Sequence, residues 1–298
     1  MSGMAVVNLM KCSERSIIAS NRIAIFLAET IGCQLIDRKE TAFRHKYKIL
    51  IIVNGPMLYC GFREELKVLV EEAESIVWVT NDYSIYPPKF IKEKNPIYWS
   101  SCDPVEWQQK HEYINWNQLT FSPWINPIEP KFFGLFYYGA YRTGRERYFK
   151  KYFETFDYQV FISSSNSGKG EFKKICPQAK YFQPSDCVMM LRNFSTTIYI
   201  EDTKSHSLYC SPANRFYEAL SAHVPILFDK ATVGTMGRAG IDISKWTIDG
   251  PEEASERLEA WREIRVEQAI ELRQKDYLGG LKMEIRDGLE RIRQKAAI

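Results

Sequence analysis

In "FYYGAYRTGRERYFKKYF", residues 136–153, Gly139 closes an aromatic, strand-like run, and Arg142, Arg145 and Arg147 follow it closely. A glycine at a strand's carboxyl end lets the backbone turn tightly into a following helix. The free N–H groups of that turn, those of Gly139 and Ala140 among them, can then face a phosphate. Cations at a helix start oppose the helix dipole unless an anion sits among them. A bound phosphate would supply that anion. The other reading of these residues is an ordinary amphipathic helix that buries Tyr148, Phe149, Tyr152 and Phe153 and leaves its arginines in water.

A second constellation lies in "SPANRFYEALSAHVPILFD". Ser211 or Asn214 can cap a helix there, and Arg215 and Glu218, three residues apart, share one face near its start. They can form an intrahelical ion pair. Alternatively, the carboxylate accepts both hydroxyls of a ribose while the arginine meets a diphosphate. The third candidate is Asp82 in "WVTNDYS", just past a buried-type strand. Aspartate at such a place commonly forms a turn or a cap, and it can also act as a general base toward an acceptor hydroxyl.

These residues need strands and helices to position them. Short β-branched runs alternate with helical periodicity from "AVVNLM" through a helix near 13–32, "CQLID", "YKILIIVNG", a helix near 63–74 and "SIVWVTND". The alternation resumes with "KFFGLFYYG", a helix near 144–156, "YQVFISSS", "KYFQ", helices near 185–193 and 214–222, "TIYIED" and "VPILFD". Continuous apolar runs between helices predict buried parallel strands in βαβ units. The expected architecture is α/β: two Rossmann-like domains, 1–128 and 129–298, with parallel sheets facing a central cleft. Between them, residues 84–130 carry seven prolines and four tryptophans. That density predicts long loops and a linker. A polar helical segment, about 252–295, reads as a solvated amphipathic closing element.

Composition sets limits without choosing a partner. The 298 residues suffice for two domains of roughly 100–150 residues each. A formal net charge of +3 permits a local basic surface without demanding nucleic acid. The seven cysteines form no CxxC pair and stand at no metal-ligand spacing from the four histidines, so no metal ligand set is expected and a reducing, cytoplasmic home fits. No stretch reads as a membrane span or export signal.

Taken in order, "AVVNLM", "SNRIAIFLAETIG", "KILIIVNG", "VWVTND", "YYGAYRTGRER" and "NRFYEALSAHVPILFD" resemble the DNA β-glucosyltransferases of T-even bacteriophages, most closely in the last three segments. That resemblance implies the GT-B fold, with the closing helix crossing back to the first domain. It implies inverting transfer of a sugar from a UDP-sugar, UDP-glucose foremost, to a 5-hydroxymethylpyrimidine flipped out of double-stranded DNA. A loosely bound Mg2+ or Mn2+ is compatible with it. A monomer in the cytoplasm of a phage host is the corresponding expectation. Asp82 falls at the family's general base. Gly139 and Arg142 match its diphosphate turn, and Arg215 and Glu218 match its last-helix arginine and ribose-binding glutamate.

Three positions depart from the family pattern. Ala140 replaces a serine in the diphosphate turn, Glu146 stands in register with a family arginine that leaves Arg145 and Arg147 beside it, and Asn21 replaces an acidic residue. Lys89, Lys92, Lys94 and the tryptophans of 84–130 can contact DNA or simply pack the linker. Two other functions fit the same residues: a GT-B enzyme acting on a small molecule or envelope glycan, and a non-catalytic nucleotide- or DNA-binding module.

Overall fold

The computed structural model describes residues 3–8, 15–37, 47–53, 63–80, 87–101, 111–164, 166–183, 187–202 and 211–296. The chain divides into two units, one of Met1–Leu119 with Tyr277–Ile298 and the other of Thr120–Asp276.

The first unit runs β1 (Met4–Val7), α1 (Arg15–Ile31), β2 (Gln34–Ile36), β3 (Ile49–Val53), α2 (Arg63–Glu72), β4 (Ser75–Thr80), α3 (Lys89–Lys92), β5 (Ile97–Ser100) and β6 (His111–Tyr113). The strands form one parallel sheet in the order β2-β1-β3-β4-β5-β6. Every residue of β3 is buried because both faces are covered. Ile49, Ile51 and Val53 join one core and Leu50 and Ile52 the other, as the two-residue period of a strand requires.

Strands β5 and β6 lie inside the segment expected to be loops. Its prolines stand at element boundaries: Pro88 caps α3 and Pro96 immediately precedes β5, so no ladder N–H is lost. Trp99 and Trp116 are buried, with ring centroids 6.5 Å apart, and serve the core. Trp124, in contrast, is 87% exposed.

The second unit runs β7 (Phe132–Tyr138), a 3-10 turn (Thr143–Arg145), α4 (Glu146–Phe153), β8 (Val160–Ser163), α5 (Asn166–Ile175), β9 (Lys180–Phe182), α6 (Cys187–Leu191), β10 (Phe194–Tyr199), α7 (Asn214–Ala222), β11 (Ile226–Asp229), α8 (Val233–Arg238), β12 (Thr247–Ile248), α9 (Pro251–Glu259), α10 (Trp261–Gln268) and a π-helical turn (Ala269–Arg273). Its parallel sheet has the order β12-β11-β10-β7-β8-β9. The chain builds outward from β7 in one direction, then returns to β10 and builds in the other. That reversal makes the carboxyl ends of β7 and β10 the switch point, the place where open α/β sheets leave a ligand crevice.

Helix α5 carries Gly168 and Gly170 in its own first half, which hide its periodicity, and its Phe172 and Ile175 are buried. The closing segment is more broken than its sequence suggests, and its last part, α11 (Tyr277–Ala296), belongs to the first unit. Leu281, Ile285, Leu289 and Ile292 form a stripe packed with Ile23 and Leu27 of α1. Gly288 leaves room for the Trp99 ring, whose Cζ2 would lie 3.1 Å from an added Cβ. The division at 128/129 counted this helix with the second domain while the family resemblance expected it to cross back to the first, and its apolar stripe does pack with the first unit. Among the described residues, no helix is long and apolar enough to cross a membrane.

Candidate functional site

At the switch point, β7 delivers Tyr137, Tyr138 and Gly139 to the carboxyl edge of the second sheet. Gly139 has φ of 142°, a conformation L side chains rarely adopt, and its N–H donates to Ser163 O at 3.0 Å. A Cβ there would lie 3.1 Å from Tyr137 Oη and 3.4 Å from Arg215 Nη1. The turn and the start of α7 are therefore in close contact. The carbonyl of Ala140 lies 3.5 Å from Tyr137 Oη.

Helix α7 begins at Ala213, not with a Ser211 or Asn214 cap. Tyr199 at the end of β10 accepts the N–H of the cap residue Ala213 itself at 2.7 Å, so a neighbouring strand satisfies one of the free donors at the helix start. Arg215 on the first turn donates to Ile200 O at 2.6 Å and pairs with Glu201. Its guanidinium also lies over the Tyr199 ring, 5.0 Å from the centroid. Burial is the largest influence and works against its charge, but Glu201 together with Tyr137, Tyr199 and Tyr138 more than offsets it and the pKa is raised. Glu218, a turn later, has Oε2 3.0 Å from Tyr138 Oη, which also lies 2.8 Å from Arg215 O.

The three arginines after Gly139 occupy different environments. Arg142 is well exposed, with Nη1 3.5 Å from Asp202 Oδ2. Arg145 is buried; its Nη2 lies 2.7 Å from Glu201 Oε2 and 3.5 Å from Asp202 Oδ2, and Nη1 donates to Tyr137 Oη at 3.2 Å. The dipole conflict expected of Arg145 is thus resolved by the protein's own carboxylates. Arg147 is exposed and donates to Tyr148 Oη at 2.6 Å.

Glu146 is likewise engaged, accepting from Tyr141 Oη at 2.8 Å and pairing with Lys150 at 2.7 Å. Burial, followed by Glu146, pushes the Tyr141 phenol up to about 12, and the Lys150 hydrogen bond holds the Glu146 carboxyl below its ordinary range. Asp82 lies outside the described residues.

The sequence reading did not anticipate Glu201 and Asp202, which appeared only as the end of the strand "TIYIED". Their position just past β10, at the same edge as the arginine turn, was the available signal. Both are buried and join residues from the two arginine motifs into one charge cluster. Among the described residues, no group of three or more His, Cys, Asp or Glu side chains could hold a metal ion.

No family model and no curated protein matches the chain. Among solved structures, the T4 phage β-glucosyltransferase aligns over 99% of this chain and 99% of its own, with a TM-score of 0.64 and 13% identity. The fold is GT-B. The same phage enzyme in complex with UDP-glucose gives a TM-score of 0.65 at 14% identity, again over 99% of both chains. An α-glucosyltransferase in complex with UDP and a mismatched 13-mer DNA is also similar, at a TM-score of 0.53 and 10% identity over 95% of this chain and 96% of that one. What the GT-B likeness carries at such identities is the backbone: two parallel six-stranded sheets, with a last helix that returns to the first.

Proposed function

We propose that the chain is a UDP-sugar-dependent glycosyltransferase that moves a sugar, glucose foremost, to the hydroxyl of a 5-hydroxymethylpyrimidine in double-stranded DNA, with inversion. The observation that carries this reading is the convergence of Gly139, Arg215, Tyr138 and Glu218 at the switch point of the second sheet. An exposed cation, a tight glycine turn and a carboxylate one helical turn from an arginine are suited to a diphosphate and a ribose. The similar solved enzymes, one a T4 phage β-glucosyltransferase with UDP-glucose and one an α-glucosyltransferase with UDP and DNA, support the donor and the acceptor.

In this mechanism Arg142, Arg215 Nη1 and the Ala140 backbone N–H stabilise charge growing on the departing diphosphate, while Gly139, whose own N–H is committed to Ser163 O, supplies the tight turn. Arg145 is committed to Glu201 and acts by holding the turn, while the Arg147 guanidinium rests on Tyr148 and would have to leave it to meet the same anion. Glu218 accepts the ribose hydroxyls. Asp82 removes the acceptor proton as that oxygen attacks the anomeric carbon, and base flipping brings the hydroxyl out of the duplex. The T4 phage enzyme has been solved with UDP and Mn2+. The described residues offer no protein cage for such an ion, so no step is assigned to it.

The test combines calorimetry with UDP and mass spectrometry of hydroxymethylated DNA incubated with a panel of nucleotide sugars. Asp82→Ala should keep UDP affinity and lower turnover by ~10² or more. Sugar transfer to a small acceptor with no transfer to DNA would replace the DNA reading. UDP binding without transfer or donor hydrolysis would leave a binding module.

A further inference from the structure

We infer that Asp202 is a resident counter-anion that competes with the donor's diphosphate for Arg142, so that its charge weakens the hold on UDP. The inference rests on the donor-site reading above. Arg142, Arg145 and Arg215 share two carboxylates, Glu201 and Asp202, and the two carboxylates are used differently. Glu201 holds both buried guanidinia, with Arg145 at 2.7 Å, and all these side chains are at least nine-tenths buried. Breaking those pairs would strand a charge away from water, so they stay closed.

Asp202 instead reaches both Arg142 and Arg145 at 3.5 Å. Arg142 is 59% exposed, and an ion pair that long and that wet is weak. A phosphate oxygen offers Arg142 a shorter, charge-assisted bond and displaces the contact at little cost. Asp202 cannot follow its partner outward, because its side chain is only 11% exposed and the turn at Gly144 packs on it. A Cβ at Gly144 would stand 3.0 Å from Asp202 Cβ. The carboxylate therefore remains beside the incoming diphosphate and repels it. The consequence is a moderated affinity for the UDP product.

Calorimetric titration of the full chain with UDP and with uridine tests this. Asp202→Asn should tighten UDP by about twofold to fivefold, the scale of an exposed ion pair, and leave uridine affinity unchanged. Asp202→Ser should move the same way, since charge and not shape is at issue, and covers the case in which the amide does not fold. Placed in an Arg142→Gln background, either change should lose most of its effect. Unchanged or weakened UDP affinity in variants that melt like the parent overturns the inference, as does a parallel change in uridine affinity. Failure of the unaltered chain to bind UDP at all overturns the donor-site reading itself.

Discussion

Tyr138 Oη and Glu218 Oε2 stand 3.0 Å apart although 80 residues separate them in the chain. The phenol closes the end of β7 against the face of α7 and aims the carboxylate that should receive the ribose. Tyr138→Phe removes that tie while keeping the ring in its slot. It should cost about 0.5–1.5 kcal/mol of stability, the worth of one hydrogen bond, and weaken UDP binding. Glu218→Ala should weaken UDP further. Equal UDP affinity in Tyr138→Phe and the parent by calorimetry would show that the carboxylate is aimed by something else.

Gly139 gives a sharper case. At φ of 142°, a methyl group is strained by the backbone and crowded by Tyr137 Oη at 3.1 Å and Arg215 Nη1 at 3.4 Å. Gly139→Ala should lose about 1–3 kcal/mol of stability and shift Arg215 away from the turn. Because one side of the crowding is the guanidinium proposed to touch the diphosphate, UDP affinity should fall in the same variant. Denaturant unfolding and calorimetry on one preparation report both. Parent-like affinity would separate Arg215 from the donor.

How much of this was legible follows from the range over which each cause acts. The strands β3, β4 and β7 announce themselves because a strand covered on both faces is almost wholly apolar, whereas β10 is buried throughout despite Ser195, Thr196 and Thr197. Helix α7 is equally plain, since its apolar positions repeat locally. Strands β5 and β6 were hidden by the surrounding prolines, of which Pro96 turned out to mark the start of β5 and Pro88 the start of α3.

The partners of Arg145 were hidden for a different reason. Its partner, Glu201, is 56 residues away, and nothing near either residue records that they meet. Helix α11 showed its charged face plainly. Its own residues gave no sign of the sheet on which Leu281 and Ile285 would pack; the return to the first domain was legible through the family resemblance.

Glu201 follows from the same consideration, because a buried carboxylate serving two buried guanidinia has no cheap replacement. Glu201→Gln preserves shape and removes charge, leaving Arg145 beside Asp202 and Tyr137 Oη and Arg215 beside Ile200 O, with a neutral amide oxygen in place of the carboxylate. It should destabilise the second unit by about 3–5 kcal/mol. Asp202→Asn should cost clearly less, since its contacts are longer and one partner is exposed. Urea unfolding of the two variants side by side measures the order. Equal losses would mean that Glu201 carries no special share of the cluster.

His223 supplies a pH dependence away from the donor turn. It closes α7 in the left-handed conformation, φ 56°, and donates from Nε2 to Ile125 O at 2.9 Å. Burial, then the nearby Arg273, pushes its pKa from about 6.5 down to about 4, with smaller pushes from Arg265 and Arg192. Between those two values the unfolded chain binds a proton that the folded chain refuses. Stability should therefore fall as pH drops from about 6.5 toward 4 and level off below, as far as this group is concerned. Glu146, Asp242 and Asp249 have lowered pKa values, so their stabilisation is also lost on acidification, but only below the ordinary carboxylate range. Glu284, whose carboxyl is raised by burial, acts in the opposite sense above that range, so the histidine's share is the difference between parent and His223 variant from pH 6.5 to 5. His223→Asn, which tolerates the left-handed backbone, should flatten the urea midpoint across that interval. The same slope in parent and variant would remove His223 as its source.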